Sequence, residues 1–399
     1  MDGVVVMEKK KVLFIVHHLT IGGAQKSFIT ALRFIDYSKY DVTVYIRKNR
    51  LDILPEVDKR VKVIVNDDKT HYYRKAYTLM YLLKISFLKM IGKTGRAFEI
   101  EKKLSERIRL DMLEYEKKRF FENEHYDVAI AYKQGYTADI AADGIDADRK
   151  YIFYHSSTDE AHEFHERIFD KFDKIIAVGD NIKSILQNLY PNYSDKIEVM
   201  YNYVDSDFVI AKSGSKEPYT PSGKNILCTC GRLSPVKGFD LAVEAAKILK
   251  NNHIRFTWYF IGDGPERERL EKMIVENSLS ECITITGMKD NPYPLIKACD
   301  IYIQPSYEEA HPLSIIEAQI LCKSVVTTAT VGGKYLVKDG ETGVITDISA
   351  EGLAEGIMKL ITNPELCQKI TENLSKIDYD IEKERYKKQW EDILGGQKA

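Results

Sequence analysis

Two carboxylates, Glu309 and Glu317, punctuate the segment Ser306-Tyr307-Glu308-Glu309-Ala310-His311-Pro312-Leu313-Ser314-Ile315-Ile316-Glu317-Ala318. The apolar run before it reads as a strand ending at Pro305, and Pro312 suits the first turn of a helix, where its missing N–H costs nothing. Glu309 is then expected in the loop and Glu317 on the helix. The helix start offers free backbone N–H groups, a positive dipole end and the Ser314 hydroxyl to an anion. Carboxylates only accept hydrogen bonds when ionised, so they suit hydroxyl-rich groups on either side of a phosphate and not the phosphate itself.

The cations that such an anion needs stand in Gly231-Arg232-Leu233-Ser234-Pro235-Val236-Lys237-Gly238, directly after another apolar run. A guanidinium can bind a diphosphate bidentately, and an ammonium can follow it as a point charge. Near the N-terminus, Gly22-Gly23 lies between a strand and a helix, where glycine lets backbone approach a ligand closely. It is not G-x-G-x-x-G, which weakens a dinucleotide reading.

These residues need a scaffold. The 399 residues are 44% hydrophobic and 30% charged, enough for two or three domains of roughly 150 residues and against disorder or a disulfide scaffold. The formal charge of −2 leaves no global field for a polyanion, so no nucleic-acid partner is expected. The cysteines (Cys228, Cys230, Cys282, Cys299, Cys322, Cys367) read as reduced core residues of a cytosolic protein. Met1 to Met7 lacks the basic start of a signal peptide.

Apolar, β-branched runs alternate with segments of helical length, as in a layered βαβ fold. The runs are Val12–Val16, Val42–Ile46, Val61–Val65, Val128–Ala131, Tyr151–Tyr154 and Ile175–Val178, then Ile226–Cys230, Thr257–Ile261, Ile283–Ile285, Ile301–Ile303 and Val325–Thr328. A polar, turn-rich stretch lies between the two series. The expectation is α/β, two Rossmann-like domains in tandem. The N-terminal domain covers 1–205, the linker 206–224 and the C-terminal domain 225–378, with a C-terminal helix at 379–399 returning toward the first domain. Ligands of such sheets bind outside the carboxyl ends of the strands, so an interdomain cleft is the expected working site.

Residues 67–124 lack strand signals and read as a helical insertion in the N-terminal domain. Its part from Lys69 to Arg96 has seven basic residues and no acidic one. On a single helix counted from Arg74, the cations Arg74, Lys75, Lys89, Lys93 and Arg96 fall within about 100° of one face, opposite apolar side chains, with Lys84 outside. Lys84 and Lys89 interrupt any apolar span of ~20 residues, but such a helix suits an anionic membrane surface. Packing on the N-terminal domain is the plain alternative. Glu99 to Glu124 mixes both signs and reads as a solvated helix.

Taken together, the residues resemble the GT-B glycosyltransferases, specifically the retaining family-4 (glycosyl transferases group 1) type. Glu309 and Glu317 match its E-x7-E motif, Gly231-Arg232-Leu233 with Lys237-Gly238 its G-R-L-x-x-x-K-G, and Gly262-Asp263-Gly264-Pro265 its G-x-G-P turn. Gly22-Gly23, Asn202 to Asp205 and Gly332-Gly333 match looser patterns. The resemblance implies that Arg232 and Lys237 hold the diphosphate of a nucleotide-sugar donor, Glu317 its ribose and Glu309 the transferred sugar. It implies backbone contacts to phosphate and base from Leu313, Ser314, Gly287 and Met288, and places His155 near the sugar as a catalytic residue with Glu309. It further implies retaining transfer of a hexose or N-acetylhexosamine, UDP-linked, to a saccharide or lipid-linked acceptor in cell-surface polysaccharide synthesis. The setting would be cytoplasmic, peripheral to the inner face of the membrane.

Three departures from the family pattern stand out: Ala310 and His311 follow the first Glu, which alters the sugar pocket, Lys334 to Val337 lacks the usual acidic residue, and Gly179 stands where serine is common. Asp146-x-Asp148, Asp205-x-Asp207 and Asp378-x-Asp380 could suggest a carboxylate-bound metal. With Arg232, Lys237 and a helix dipole available, neither metal nor cofactor is expected. A nucleotide-sugar epimerase or hydrolase, and a nonenzymatic partner subunit that binds nucleotide sugars, are the alternatives.

Overall fold

The computed structural model describes residues 8–67, 76–90, 93–155, 162–215 and 223–396, with backbone alone at 76–79 and 162–165. Seven strands form the first sheet: β1 (Lys10–Val16), β2 (Tyr40–Ile46), β3 (Lys62–Val65), β4 (His125–Ala131), β5 (Asp146–Tyr154), β6 (Lys174–Ala177) and β7 (Ile197–Val199). Their order is β3-β2-β1-β4-β5-β6-β7, every pairing parallel. Six more form the second: β8 (Ile226–Cys230), β9 (Thr257–Ile261), β10 (Ile283–Gly287), β11 (Ile301–Gln304), β12 (Ser324–Thr328) and β13 (Gly343–Thr346). Their order is β10-β9-β8-β11-β12-β13, again all parallel. Strands covered by helices on both faces must be apolar throughout, and Val12 to Ile15 are fully buried. Trp258 and Phe260 pack edge to face at 5.6 Å in the second core.

Two compact units result. The first comprises residues up to Thr20, Leu32–Val199 and Trp390 onward; the second comprises Ile21–Ala31 and Met200–Gln389. Helix α1 (Gly23–Arg33) therefore contributes most of its length to the second unit. The C-terminal helix, Tyr379–Gly395, divides at Gln389. Its end is held in the first unit, where Trp390 stacks on Phe153 (5.7 Å) and Arg149 donates to the carbonyls of Ile393 (3.1 Å) and Leu394 (2.8 Å).

Two expectations need correction. The proposed linker is partly a helix, Ser206–Ser213, started by the Asp205 carboxylate, which accepts from Phe208 N–H. Val209 belongs to the second core, and that burial overrides the weak periodicity of the segment. The segment from Lys69 to Arg96 is also not one helix. α2 (Ala76–Met90) and α3 (Thr94–Phe120) are separate, packed through Ile85, Ala97 and Leu104 with Tyr81, Leu88 and Ile100 beside them. Lys93 and Arg96 thus leave the face assigned to them, and Arg74 and Lys75 lie outside the described residues. Nor is α3 merely solvated. Glu116 on it is fully buried, 3.7 Å from Arg47 and 3.2 Å from the Asn66 amide.

Candidate functional site

The second sheet reverses its strand order between β8 and β11, where ligands of doubly wound sheets bind. The loops leaving these strands carry Arg232, Lys237 and Glu309. They are bound to each other: Tyr307 N–H donates to the Val236 carbonyl at 2.9 Å. Gly238 closes the contact. Its φ is +64°, and a Cβ there would lie 2.0 Å from the Pro305 carbonyl oxygen, so only glycine fits.

Glu309 is held from three sides. Its Oε1 accepts from Lys237 Nζ (2.5 Å), Gln304 Nε2 (3.0 Å) and Ser306 Oγ (3.0 Å). Ser314 Oγ donates to Gln304 Oε1 at 2.9 Å, which fixes the orientation of that amide. Arg232 is exposed and has no ion pair among the described residues. The helix Leu313–Ile320 begins at the same place. Pro312 is its N-cap rather than a first-turn residue, because its ψ of 101° is extended. Leu313 and Ser314 accordingly present the N–H groups that lack intrahelical partners. Gly332 N–H donates to the Glu309 carbonyl at 2.9 Å, tying a third loop to this one.

Glu317, 3% exposed, lies further along the helix. Its Oε1 accepts from Lys26 Nζ (2.8 Å) and from the Tyr293 hydroxyl (3.0 Å). Burial works against the Lys26 ammonium, but the Glu317 carboxylate outweighs it and the pKa is raised. Lys26 is one turn into α1 from Gly22, whose carbonyl accepts Lys26 N–H at 2.9 Å. Gly23 opens that helix. Each carboxylate of the pair is thus matched to a lysine. Beside them, burial pushes the Cys230 thiol up to about 12, so it stays protonated.

Gly287 ends β10 at a register shift, with φ +76°, and its carbonyl accepts Gly262 N–H at 3.0 Å. Met288 follows it, 51% exposed. The departures at His311 and Tyr335 meet in one ring cluster. Tyr201 stacks on Tyr335 at 5.1 Å, and His311 lies 5.6 Å from Tyr201.

His155 belongs to the first unit, immediately after β5. Its ring packs on Tyr132 at 5.2 Å, its backbone N–H donates to Gln134 Oε1 at 3.3 Å, and its buried Nε2 has no hydrogen-bond partner among the described residues. Burial pulls its pKa down to about 4, with Lys133 adding to the effect against a backbone hydrogen bond at Tyr132. The imidazole is neutral at physiological pH.

Sequence reasoning missed Lys26, Tyr293 and Gln304. Lys26 had a signal, a cation closing the Gly22-Gly23 segment. Gln304 had a weaker one, a polar residue ending the apolar run Ile301-Tyr302-Ile303.

Residues 212–376 match the family model described as glycosyl transferases group 1. Over 205 residues the chain is 28% identical to the lipopolysaccharide core biosynthesis glycosyltransferase LpsE of Rhizobium meliloti, covering 51% of this chain and 58% of that protein. It is 27% identical over 213 residues, 52% of this chain and 56% of the other, to the N-acetylgalactosamine-N,N'-diacetylbacillosaminyl-diphospho-undecaprenol 4-alpha-N-acetylgalactosaminyltransferase of Campylobacter jejuni. The chain thus spans about half the length of the curated relatives it matches. Among solved structures, HepE of Anabaena in complex with UDP and glucose superposes with a TM-score of 0.69 at 15% identity, over 97% of this chain and 100% of that one. The fold of the chain is GT-B, with two Rossmann-like domains. The E-x7-E carboxylates and the Arg232–Lys237 loop all lie inside the matched domain.

Proposed function

We propose that the chain is a retaining glycosyltransferase that moves a hexose or N-acetylhexosamine from a UDP-linked donor to a saccharide or lipid-linked acceptor in cell-surface polysaccharide synthesis. The observation that carries this reading is the pair of carboxylates, Glu309 and Glu317, flanking a helix start with Arg232 and Lys237 on the adjoining loop. Arg232, Lys237 and the N–H groups of Leu313 and Ser314 meet the diphosphate charge, so no metal is assigned. Glu317 takes the ribose hydroxyls, Glu309 the sugar, and the Gly287–Met288 turn the base. Gly22 and Gly23 let the backbone before Lys26 approach the ligand. The sugar C1–O bond to the diphosphate breaks while the acceptor oxygen bonds C1 on the same face, and the acceptor proton passes to the leaving diphosphate. Fixed cations stabilise the charge that develops there.

Thermal stabilisation by a panel of nucleotide sugars tests the donor, followed by product analysis with and without acceptor. A UDP-sugar should stabilise most, and a glycoside with retained anomeric configuration should form only with acceptor. Epimerised or hydrolysed donor without acceptor would instead select an epimerase or hydrolase. Binding without any turnover would select a nonenzymatic subunit.

The family resemblance gives His155 a catalytic role at the sugar. His155→Ala should lower the transfer rate more than donor affinity, and an unchanged rate would return it to a packing role. Because the pKa of His155 lies near 4, the wild-type rate should show no loss from its protonation between pH 8 and 5. Any loss from this group should begin only as pH approaches 4.

The insertion supports membrane association of the enzyme. Met80 (61%), Leu83 (64%), Phe87 (55%) and Met90 (75%) are exposed and share about a quarter turn of α2, while α3 covers the Tyr81, Ile85 and Leu88 side. Exposed Phe98, Lys84, Lys93 and Arg96 add apolar area and positive charge. No helix among the described residues is long and apolar enough to cross a membrane; an exposed surface that is both apolar and basic suits anionic lipid. Co-sedimentation with phosphatidylglycerol vesicles should fall with salt and be lost in both Leu83→Glu/Phe87→Glu and Lys89→Glu/Lys93→Glu/Arg96→Glu. Pelleting equal to wild type would show that the hairpin only packs. Lys89 is the least telling of these positions, being paired with Glu101 at 3.1 Å.

A further inference from the structure

The first sheet has a switch point of its own, between β1 and β4, and sheets of this kind bind ligands where the strand order reverses. The chain places cations there from the loops that follow β2 and β4. Val16 pairs with Ile46, and Lys48 N–H donates to the His17 carbonyl at 2.9 Å, so Lys48 sits against the end of β1. Arg50 is held to the same edge by its carbonyl, which accepts Leu19 N–H at 2.8 Å. On the other side Tyr132 N–H donates to the Ile15 carbonyl at 3.1 Å, which brings Lys133 beside β1 as β4 ends. The His17 and His18 rings, 5.3 Å apart, lie between.

Arg47 is already engaged, 3.7 Å from Glu116 and over the Tyr136 ring at 4.2 Å. Lys48, Arg50 and Lys133 differ. All three are exposed, and none has an ion pair among the described residues. The neighbouring carboxylate is Asp52. The crowding of positive charge is felt by the histidines. Burial, then Arg47, Lys48, His18 and Lys133, pull the pKa of His17 down to about 3. Like charges outnumbering their one neighbouring carboxylate store repulsion that a bound anion relieves, and phosphate is an anion that lysine and arginine bind through charge-assisted hydrogen bonds.

We propose that Lys48, Arg50 and Lys133, at the β1/β4 switch point, bind a phosphate or diphosphate group carried by the glycosyl acceptor. The acceptor role rests on the glycosyl-transfer reading; the anion site does not. The chemistry is shared by a soluble phosphorylated saccharide and a lipid diphosphate. The Campylobacter relative, whose name includes a diphospho-undecaprenol acceptor, fits the second.

The test is calorimetric titration of the full chain at low salt with UDP present in saturating amount, so that the Arg232–Lys237 loop is occupied. Inorganic pyrophosphate and farnesyl diphosphate are the probes. Wild-type protein should bind pyrophosphate. Lys48→Gln/Arg50→Gln/Lys133→Gln should bind it at least tenfold more weakly, with UDP affinity and melting temperature unchanged. Single substitutions at the three exposed positions should each give a partial loss, which guards against misfolding of the triple variant. Farnesyl diphosphate binding tighter than pyrophosphate assigns a lipid-linked acceptor, and equal binding assigns recognition of the phosphate alone. Absence of pyrophosphate binding in the wild type, or unchanged binding in the triple variant, overturns the site. Failure of UDP to bind overturns the donor reading instead, and the pyrophosphate comparison between wild type and variant still decides the anion site.

Discussion

Lys237→Ala is expected to lower glycosyl transfer by about 10²–10³-fold, the loss seen when one preorganised charge-stabilising donor is removed from an active site. Two effects combine. The leaving diphosphate loses a point charge, and Glu309 loses its shortest hydrogen bond, keeping only Gln304 and Ser306. Donor affinity should fall less, by the roughly 1.5–3 kcal/mol of one charge-assisted contact. Glu317→Ala is the comparison. It removes a carboxylate from Lys26 and Tyr293 rather than from the sugar, so its main effect should be on donor binding. Steady-state kinetics with separate donor titrations check both. Wild-type turnover in either variant would remove that residue from the site.

Gly238→Ala should be the most damaging single-methyl change in this loop. The residue must keep φ +64° or move, and its new Cβ would meet the Pro305 carbonyl at 2.0 Å. Strained backbone of this kind costs about 2 kcal/mol, on the order of 4–8 °C in melting temperature for a unit of this size. The activity loss should exceed what instability explains, because relief of the clash separates Lys237 from Glu309. A variant with wild-type melting temperature and nucleotide-sugar affinity would show that the two loops do not depend on their contact. Gly23→Ala is the control: a Cβ there meets nothing within 4 Å, and its stability should be nearly unchanged.

The parallel sheets were legible because buried parallel strands must be apolar on both faces, and Val12–Val16 or Thr257–Ile261 can be little else. The strand β7, three residues with Glu198 at its centre, was not, since it is too short to show a pattern and exists by pairing with β6. The insertion shows the same limit from the other side. Its helical character followed from composition, but the break before Thr94 and the folding of α2 back on α3 depend on what Ile85, Ala97 and Leu104 find to pack against. The helix at Ser206–Ser213 likewise owes its place to Val209 entering the second core.

At the site, the sequence by itself determined the chemistry. Residue types at fixed spacing on strand-end loops put Glu309 and Lys237 on neighbouring loops of one sheet and Leu313 and Ser314 at a helix start. Their partners came from farther away. Lys26 meets Glu317 across 291 positions and Lys237 meets Glu309 across 72, separations over which no periodicity carries information. The cations at the β1/β4 edge are equally scattered, and singly each reads as a solvated lysine or arginine. Only the tertiary structure brings them together, because parallel strand order, and not chain order, decides which loops become neighbours.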